Sequence, residues 1–210
     1  PVVIKWLRAL QIQQVVRDDG PATHSTKAGT PTMGGLLLLG AALIPTVLWA
    51  DLTNQYVQLA VLSTVGFGAV GFADDYLKIK RATPQGLSVR MKLFAQSIVA
   101  FAVGLALIEL SQNNLYNTDI IFPFFKEFTP NIGWLYVPFA MLVLVMASNA
   151  VNLTDGLDGL AISVFTVAAG AFTALTYVSG HAVIAEFLLI VRIPPAGELT
   201  IFCGSLVGAG

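Results

Sequence analysis

Charge is what this sequence has least of. Asp, Glu, Lys and Arg make up 11% of its 210 residues, less than half of the roughly 25% usual in soluble domains, too few to furnish a soluble surface. The 11 Lys and Arg against 12 Asp and Glu leave a net charge of −1. That excludes a nucleic-acid partner, because such a face needs clustered cations. The single cysteine, Cys203, excludes a disulfide framework or a cysteine-based zinc site within the chain. It lies in an apolar run and reads as a small buried hydrophobe. Pro1 stands where an initiator Met would, no secretory signal precedes Val2, and the last run stops at Gly210 inside an apolar stretch. The chain is therefore expected to be a fragment of a longer one.

What is abundant is apolar. Hydrophobic residues make up 56% and the mean hydropathy is +0.77. A helix needs about 20 apolar residues to cross roughly 30 Å of hydrocarbon. Five runs approach or reach that length: Met33 to Ala50, Tyr56 to Ala73, Leu93 to Leu110, Trp134 to Val151 and Leu160 to Gly180. Leu199 to Gly210 reads as the first half of another span, and Val2 to Val16 as the inner end of a preceding helix or an interfacial piece. Ala182 to Ile193 is too short, carries Glu186 and Arg192, and meets Pro194-Pro195, so it reads as a surface or re-entrant segment. The expected fold is an all-α polytopic membrane protein, with at least five transmembrane helices and partial helices at both ends, forming one membrane domain over residues 1–210.

Orientation follows the cations. The stretch Asp74 to Lys92 holds Lys78, Lys80, Arg81, Arg90 and Lys92, whereas Asp51 to Gln55 holds none and Ser111 to Gly133 only Lys126. The positive-inside rule makes the basic stretch cytoplasmic. Threading the spans from that anchor puts residues 17–32, 74–92 and 152–159 on the cytoplasmic side, and all three polar motifs share that face. His181 falls on the opposite side, and His24 reads as a loop surface residue.

The first motif is GFADDYLK, where Asp74 and Asp75 close an apolar run. Two adjacent carboxylates repel each other, and a helix C-terminus nearby makes them worse placed. A cation would offset both costs. Magnesium held by one or two carboxylates and substrate phosphates suits phosphoryl chemistry, with Lys78 placed to hold an anion. The plainer alternative is a solvated Asp74–Lys78 pair on one helix face, worth roughly 0.2–0.5 kcal/mol.

The second motif, NAVNLTDGLDGLA, runs from Asn149 to Ala161 and leads into an apolar helix. Asn152, Asp155 and Asp158 are spaced by three, so they share a face if that turn is helical. Thr154 or Asp155 could instead simply cap the following helix. Acid and amide oxygens suit hard cations, ribose hydroxyls or a base edge. The third motif, HSTKAGTPTMGG from His24 to Gly35, offers Lys27, Thr30 and Thr32 as phosphate donors in a glycine-rich loop. It is not a Walker loop, since the final Gly-Lys-Ser/Thr is missing.

In this order and spacing, KAGTPTMGG, GFADDYLK and NAVNLTDGLDGLA resemble the bacterial phospho-N-acetylmuramoyl-pentapeptide transferase family, and the resemblance covers essentially the whole chain. GELTIFCGSLVGAG, from Gly197 to Gly210, is similar to the start of that family's next spanning helix. The resemblance implies transfer of phospho-N-acetylmuramoyl-pentapeptide from its uridine diphosphate carrier to undecaprenyl phosphate, releasing uridine monophosphate, with Mg2+ as cofactor. The setting is the bacterial inner membrane with the site facing the cytoplasm. A homodimer is compatible with it. Carried over by residue, it implies Asp74, Asp75 and Asp155 as catalytic acids, with Asp74 deprotonating or orienting the lipid phosphate. Lys78 is implied to stabilise phosphate charge, and Lys27, Thr32, Asn152, Asp155 and Asp158 to line the nucleotide end. Asp75 and Asp155 are the metal candidates. The family also carries a later acidic motif with a magnesium ligand and a histidine-rich loop, neither present before Gly210, so these 210 residues alone are expected to be inactive.

Two rivals stay open. A relative using uridine diphosphate N-acetylglucosamine shares the acidic pair, although GTPTMGG and DDYLK favour the muramoyl donor. A transporter would place ionisable residues near the midplane of broken helices, and no span here has one near its centre.

Overall fold

The computed structural model describes residues 34–81, 83, 85–122, 128–155 and 159–210. The Val2 to Val16 segment, His24, Lys27, Thr32 and Asp158 lie outside them. Every regular element among the described residues is helical; an isolated bridge between Asp119 and Asn131 is the one ladder contact.

We label the α-helices α1 (Gly34–Trp49), α2 (Gln55–Arg81), α3 (Val89–Gln112), α4 (Tyr136–Thr154), α5 (Leu160–Gly180), α6 (Ala182–Phe187) and α7 (Leu199–Ala209). The 3-10 turns Gly133–Leu135 and Pro194–Glu198 lead into α4 and α7. Four helical segments are long and apolar enough to cross a membrane: Gln55–Arg81, Val89–Gln112, Gly133–Thr154 and Leu160–Gly180. These match four of the five runs. The fifth, α1, is a shorter apolar helix of 16 residues carrying Pro45, about 24 Å long at 1.5 Å per residue. Pro45 cannot donate to the carbonyl one turn back; beside it, the buried Thr46 hydroxyl donates to Ala42 O at 2.7 Å.

Large apolar side chains point outward all along the spans, among them Leu62, Phe94, Leu142 and Val167. In water such a surface would aggregate; against lipid it is the favourable arrangement, and helices satisfy their own backbone there. The protein is a multi-pass membrane protein. Ala182 to Ile193, expected as a surface or re-entrant segment, is the six-residue α6 followed by a turn at Leu189, whose φ is 53°.

The described residues divide into two compact units, one within Pro1–Lys92 and Ile162–Gly210 and one within Leu93–Ala161. In the first, α7 packs on α1 and α2, with hydroxyl contacts Thr46–Ser205 at 3.3 Å and Thr176–Thr200 at 3.2 Å. The expected half-span at Leu199 to Gly210 is thus α7. The ends facing away from the acidic pair are tied by Asn54, whose side chain accepts from the Tyr56 amide at 2.9 Å and donates to Pro195 O at 2.9 Å. It is the N-cap of α2. The Asp51 amide donates to the Glu198 carboxylate at 2.9 Å.

In the second unit, α3 meets α4 at Gly104. A Cβ there would stand 3.1 Å from Val137 Cγ1 and 3.2 Å from its Cα, so the missing side chain is what lets the helices approach, as small residues do in membranes. Eight residues earlier on α3, the buried Gln96 donates to Ser148 Oγ at 3.1 Å and accepts from Asn149 Nδ2 at 2.8 Å.

Candidate active site

The 27 residues of α2 span about 40 Å, more than the hydrocarbon thickness of roughly 30 Å. Its apolar part, Tyr56 to Ala73, is of spanning length, and the helix continues unbroken through Asp74 to Arg81 for two further turns. This corrects one premise of the sequence reading: the helix does not end at the acidic pair. Its last turn carries Lys78, Lys80 and Arg81, the charge sign that a C-terminal dipole favours.

Helical spacing then decides what the carboxylates meet. Lys78 lies three and four residues on, and its Nζ bridges both acids, at 2.7 Å from Asp74 Oδ2 and 3.0 Å from Asp75 Oδ1. The solvated-pair alternative is therefore present in geometry, but as a three-membered cluster. Asp74 is the more enclosed acid, its side chain 13% exposed against 40% for Asp75.

One contact has no counterpart in the sequence reading. The chain after α2 turns back, and the Leu87 amide donates to Asp74 Oδ1 at 2.7 Å. Gly86 makes this approach possible, since a Cβ on it would collide with the Asp74 carboxylate. Ser88 then caps α3 by accepting from the Met91 amide at 3.3 Å. Burial works to raise the Asp74 carboxyl, but the Lys78 ammonium, the Leu87 amide and more distant Lys92 together hold it below the ordinary carboxylate value. For Lys78, burial opposes the charge while the two carboxylates raise its affinity for the proton, and the carboxylates prevail.

The NAVNLTDGLDGLA motif lies differently from its expected place. Asn149 to Thr154 are the last residues of α4, not the opening of α5, and Asp155 is the C-cap of α4, its amide donating to Val151 O at 3.2 Å. Thr154 caps nothing: its hydroxyl donates back to Ala150 O at 2.9 Å, inside its own helix. Asn152 and Asp155 are exposed, one turn apart at the end of the helix. Gly159, with φ of 82°, turns the chain into α5.

No group of three or more His, Cys, Asp or Glu that could hold a metal occurs among the described residues. The Asp74–Asp75 pair fits a different mode, in which Mg2+ takes one or two carboxylates and completes its shell with substrate phosphates and water. The structure brings together Asp74, Asp75 and Lys78; Asn152 and Asp155 belong to the second unit.

Comparisons with known proteins agree on the kind of chain this is. Residues 57–202 match the family model described as glycosyl transferase family 4, and residues 27–39 match a phospho-N-acetylmuramoyl-pentapeptide-transferase signature. Curated relatives bearing the name phospho-N-acetylmuramoyl-pentapeptide-transferase include that of Koribacter versatilis, 49% identical over 224 residues, and that of Pelobacter propionicus, 50% identical over 210. The relative from Thermodesulfovibrio yellowstonii is 46% identical over 209 residues. Each alignment covers 100% of this chain but 58 to 59% of the relative, so the chain spans under two thirds of their length. With a family model matched over more than half its residues, the chain belongs to glycosyl transferase family 4.

Proposed function

We propose that the protein containing this chain transfers phospho-N-acetylmuramoyl-pentapeptide from uridine diphosphate to undecaprenyl phosphate. The observation that carries this reading is the Asp74–Asp75–Lys78 cluster, held on a helix that has just left the apolar layer. A polyprenyl phosphate keeps its tail in lipid and its phosphate at the boundary, and a nucleotide sugar arrives from water. A cluster at the boundary is where the two can meet. The basic stretch from Lys78 to Lys92 supports a cytoplasmic location for it, and the names of the relatives support the donor and acceptor.

In the proposed reaction, an oxygen of the lipid phosphate attacks the sugar-linked phosphorus of the donor. The bond from that phosphorus to the bridging oxygen breaks, and uridine monophosphate leaves with the electron pair. The product is a lipid-linked diphosphate sugar. Such transfers depend on positioning and charge neutralisation more than covalent assistance. Lys78 is assigned to neutralise phosphate oxygens, moving from its carboxylates when substrate arrives. Asp74, fixed by Leu87 and Lys78, is assigned to orient the site and the attacking phosphate. Asp75, the more exposed acid, is assigned to Mg2+, which supplies charge neutralisation at the phosphates when bound. Asn152 and Asp155, with Lys27, Thr32 and Asp158, are assigned to the uridine nucleotide.

The test is release of uridine monophosphate by the full-length protein with undecaprenyl phosphate and either the muramoyl-pentapeptide or the N-acetylglucosamine donor. Magnesium-dependent turnover of the muramoyl donor alone is the expected result. Turnover of the other donor alone would overturn the substrate assignment, and turnover unaffected by a chelator would overturn the metal assignment.

A further inference from the structure

Gln96 is one of three polar residues buried among the described residues, with 3% of its surface exposed. It lies on α3 seven residues from the start of that helix, within the stretch Leu93 to Leu110 that the sequence reads as a span. A primary amide in that setting needs its polar atoms paired, and both ends of this one face α4. Its Nε2 donates to Ser148 Oγ at 3.1 Å, and its Oε1 accepts from Asn149 Nδ2 at 2.8 Å. Asn149 Nδ2 also donates to Val145 O, at 2.8 Å, which anchors that amide to its own helix.

The contact falls on the last turns of α4, just before the residues assigned to the nucleotide. At 3.6 residues per turn, Asn152 follows Ser148 by four residues and Asp155 follows it by seven, so they lie about 40° to one side and about 20° to the other of Ser148, on a stripe about 60° wide. A side chain that grips Ser148 and Asn149 from α3 therefore sets both the rotation of that stripe and its height along the helix axis. The close approach of Gly104 to Val137, eight residues further along α3, fixes the spacing of the two helices. The paired amide is directional at both ends.

We propose that Gln96 is a positioning residue for nucleotide binding: a two-pronged clamp between α3 and α4 that holds the Asn152–Asp155 stripe in register. This rests on the nucleotide assignment of Asn152 and Asp155 above. Gln96 touches no substrate itself; it acts through Asn149 and Ser148.

The test is Gln96→Met in the full-length protein, an unbranched replacement of similar length that removes both hydrogen bonds and fills the same space. The Michaelis constant for the nucleotide-sugar donor should rise about tenfold, while that for undecaprenyl phosphate and kcat stay within about twofold. Ser148→Ala, which removes only one prong, should raise the donor constant about threefold. Asn149→Leu added to Gln96→Met should cost little more than Asn149→Leu alone, because the two act through one contact. An equal loss in both Michaelis constants and kcat, accompanied by a lower unfolding temperature, would mark a merely structural role and overturn the proposal. So would an unchanged donor constant in Gln96→Met. If Gln96→Met fails to fold, Ser148→Ala decides alone: an unchanged donor constant overturns the clamp. Failure of the wild-type protein to turn over any uridine nucleotide sugar would instead overturn the functional reading on which the clamp rests.

Discussion

At the residue scale, the acidic pair shows how far local spacing reaches. That Lys78 can meet Asp74 and Asp75 was legible from offsets of four and three on a helix. That the Leu87 amide caps the remaining oxygen of Asp74 was not, because it depends on the chain folding back 13 residues later. Gly86 is the device that permits it, and it yields a prediction involving no charge at all. Gly86→Ala places a methyl group against the Asp74 carboxylate, so Leu87 must retreat or Asp74 must turn. Turnover should fall about tenfold, equivalent to about 1.4 kcal/mol, with protein yield unchanged; wild-type kcat in a steady-state assay would show that the Leu87 contact is dispensable. Gln96 was equally silent in the sequence. A lone glutamine in an apolar run gives no sign of its partner, and only the approach of α4 at Ser148 and Asn149 gives it a purpose.

At the scale of elements, helix existence was readable, and of the helix ends those of α5, Leu160 and Gly180, were too, while the polar ends of α2, α3 and α4 were not. The apolar runs at Tyr56, Leu93, Trp134 and Leu160 all become helices, because membrane hydrocarbon leaves the backbone few alternatives. The polar ends of two of them extend further than hydropathy suggests: α2 continues eight residues past Ala73 and α4 three past Val151. Hydropathy stops at the edge of the lipid, whereas backbone hydrogen bonding does not. This is why Thr154 and Asp155, good capping residues by type, looked like the start of α5 when they finish α4. The opposite end of α2 offers a clean test of capping. Asn54 satisfies the Tyr56 amide and also holds Pro195, so Asn54→Ala removes a cap worth about 1 kcal/mol and a tie to the turn before α7. Thermal unfolding in detergent should shift down by a few degrees, at the larger-protein end of the usual scale of about 2–4 °C per kcal/mol, with the donor Michaelis constant unaltered. A changed donor constant would mean that the Asn54 tie reaches the site.

At the scale of the whole molecule, the outward-facing apolar side chains and the boundary position of the acidic cluster belong to one account. Apolar side chains face outward along the helices, and the proposed reaction centre lies where the apolar part of α2 gives way to its charged turns. The class of protein was legible from scarcity of charge and the long runs; the Asp74 cluster was legible in composition but not in its enclosure by Leu87. The central claim is that this cluster is a reaction centre and not only an ion pair on a helix face. A purely structural ion pair, even one that also holds the Leu87 amide, would on losing its carboxylate change stability and leave turnover unaltered. The measurement that separates these is kcat for Asp74→Asn in the full-length protein, with undecaprenyl phosphate and the muramoyl donor both saturating and magnesium present. A fall of about a thousandfold, the scale expected when a group that organises charge in a transition state is lost, with unfolding temperature within a few degrees of wild type, is the expected result. A kcat within about twofold of wild type would contradict the account and leave Asp74 as a structural carboxylate that holds Lys78 and the Leu87 amide.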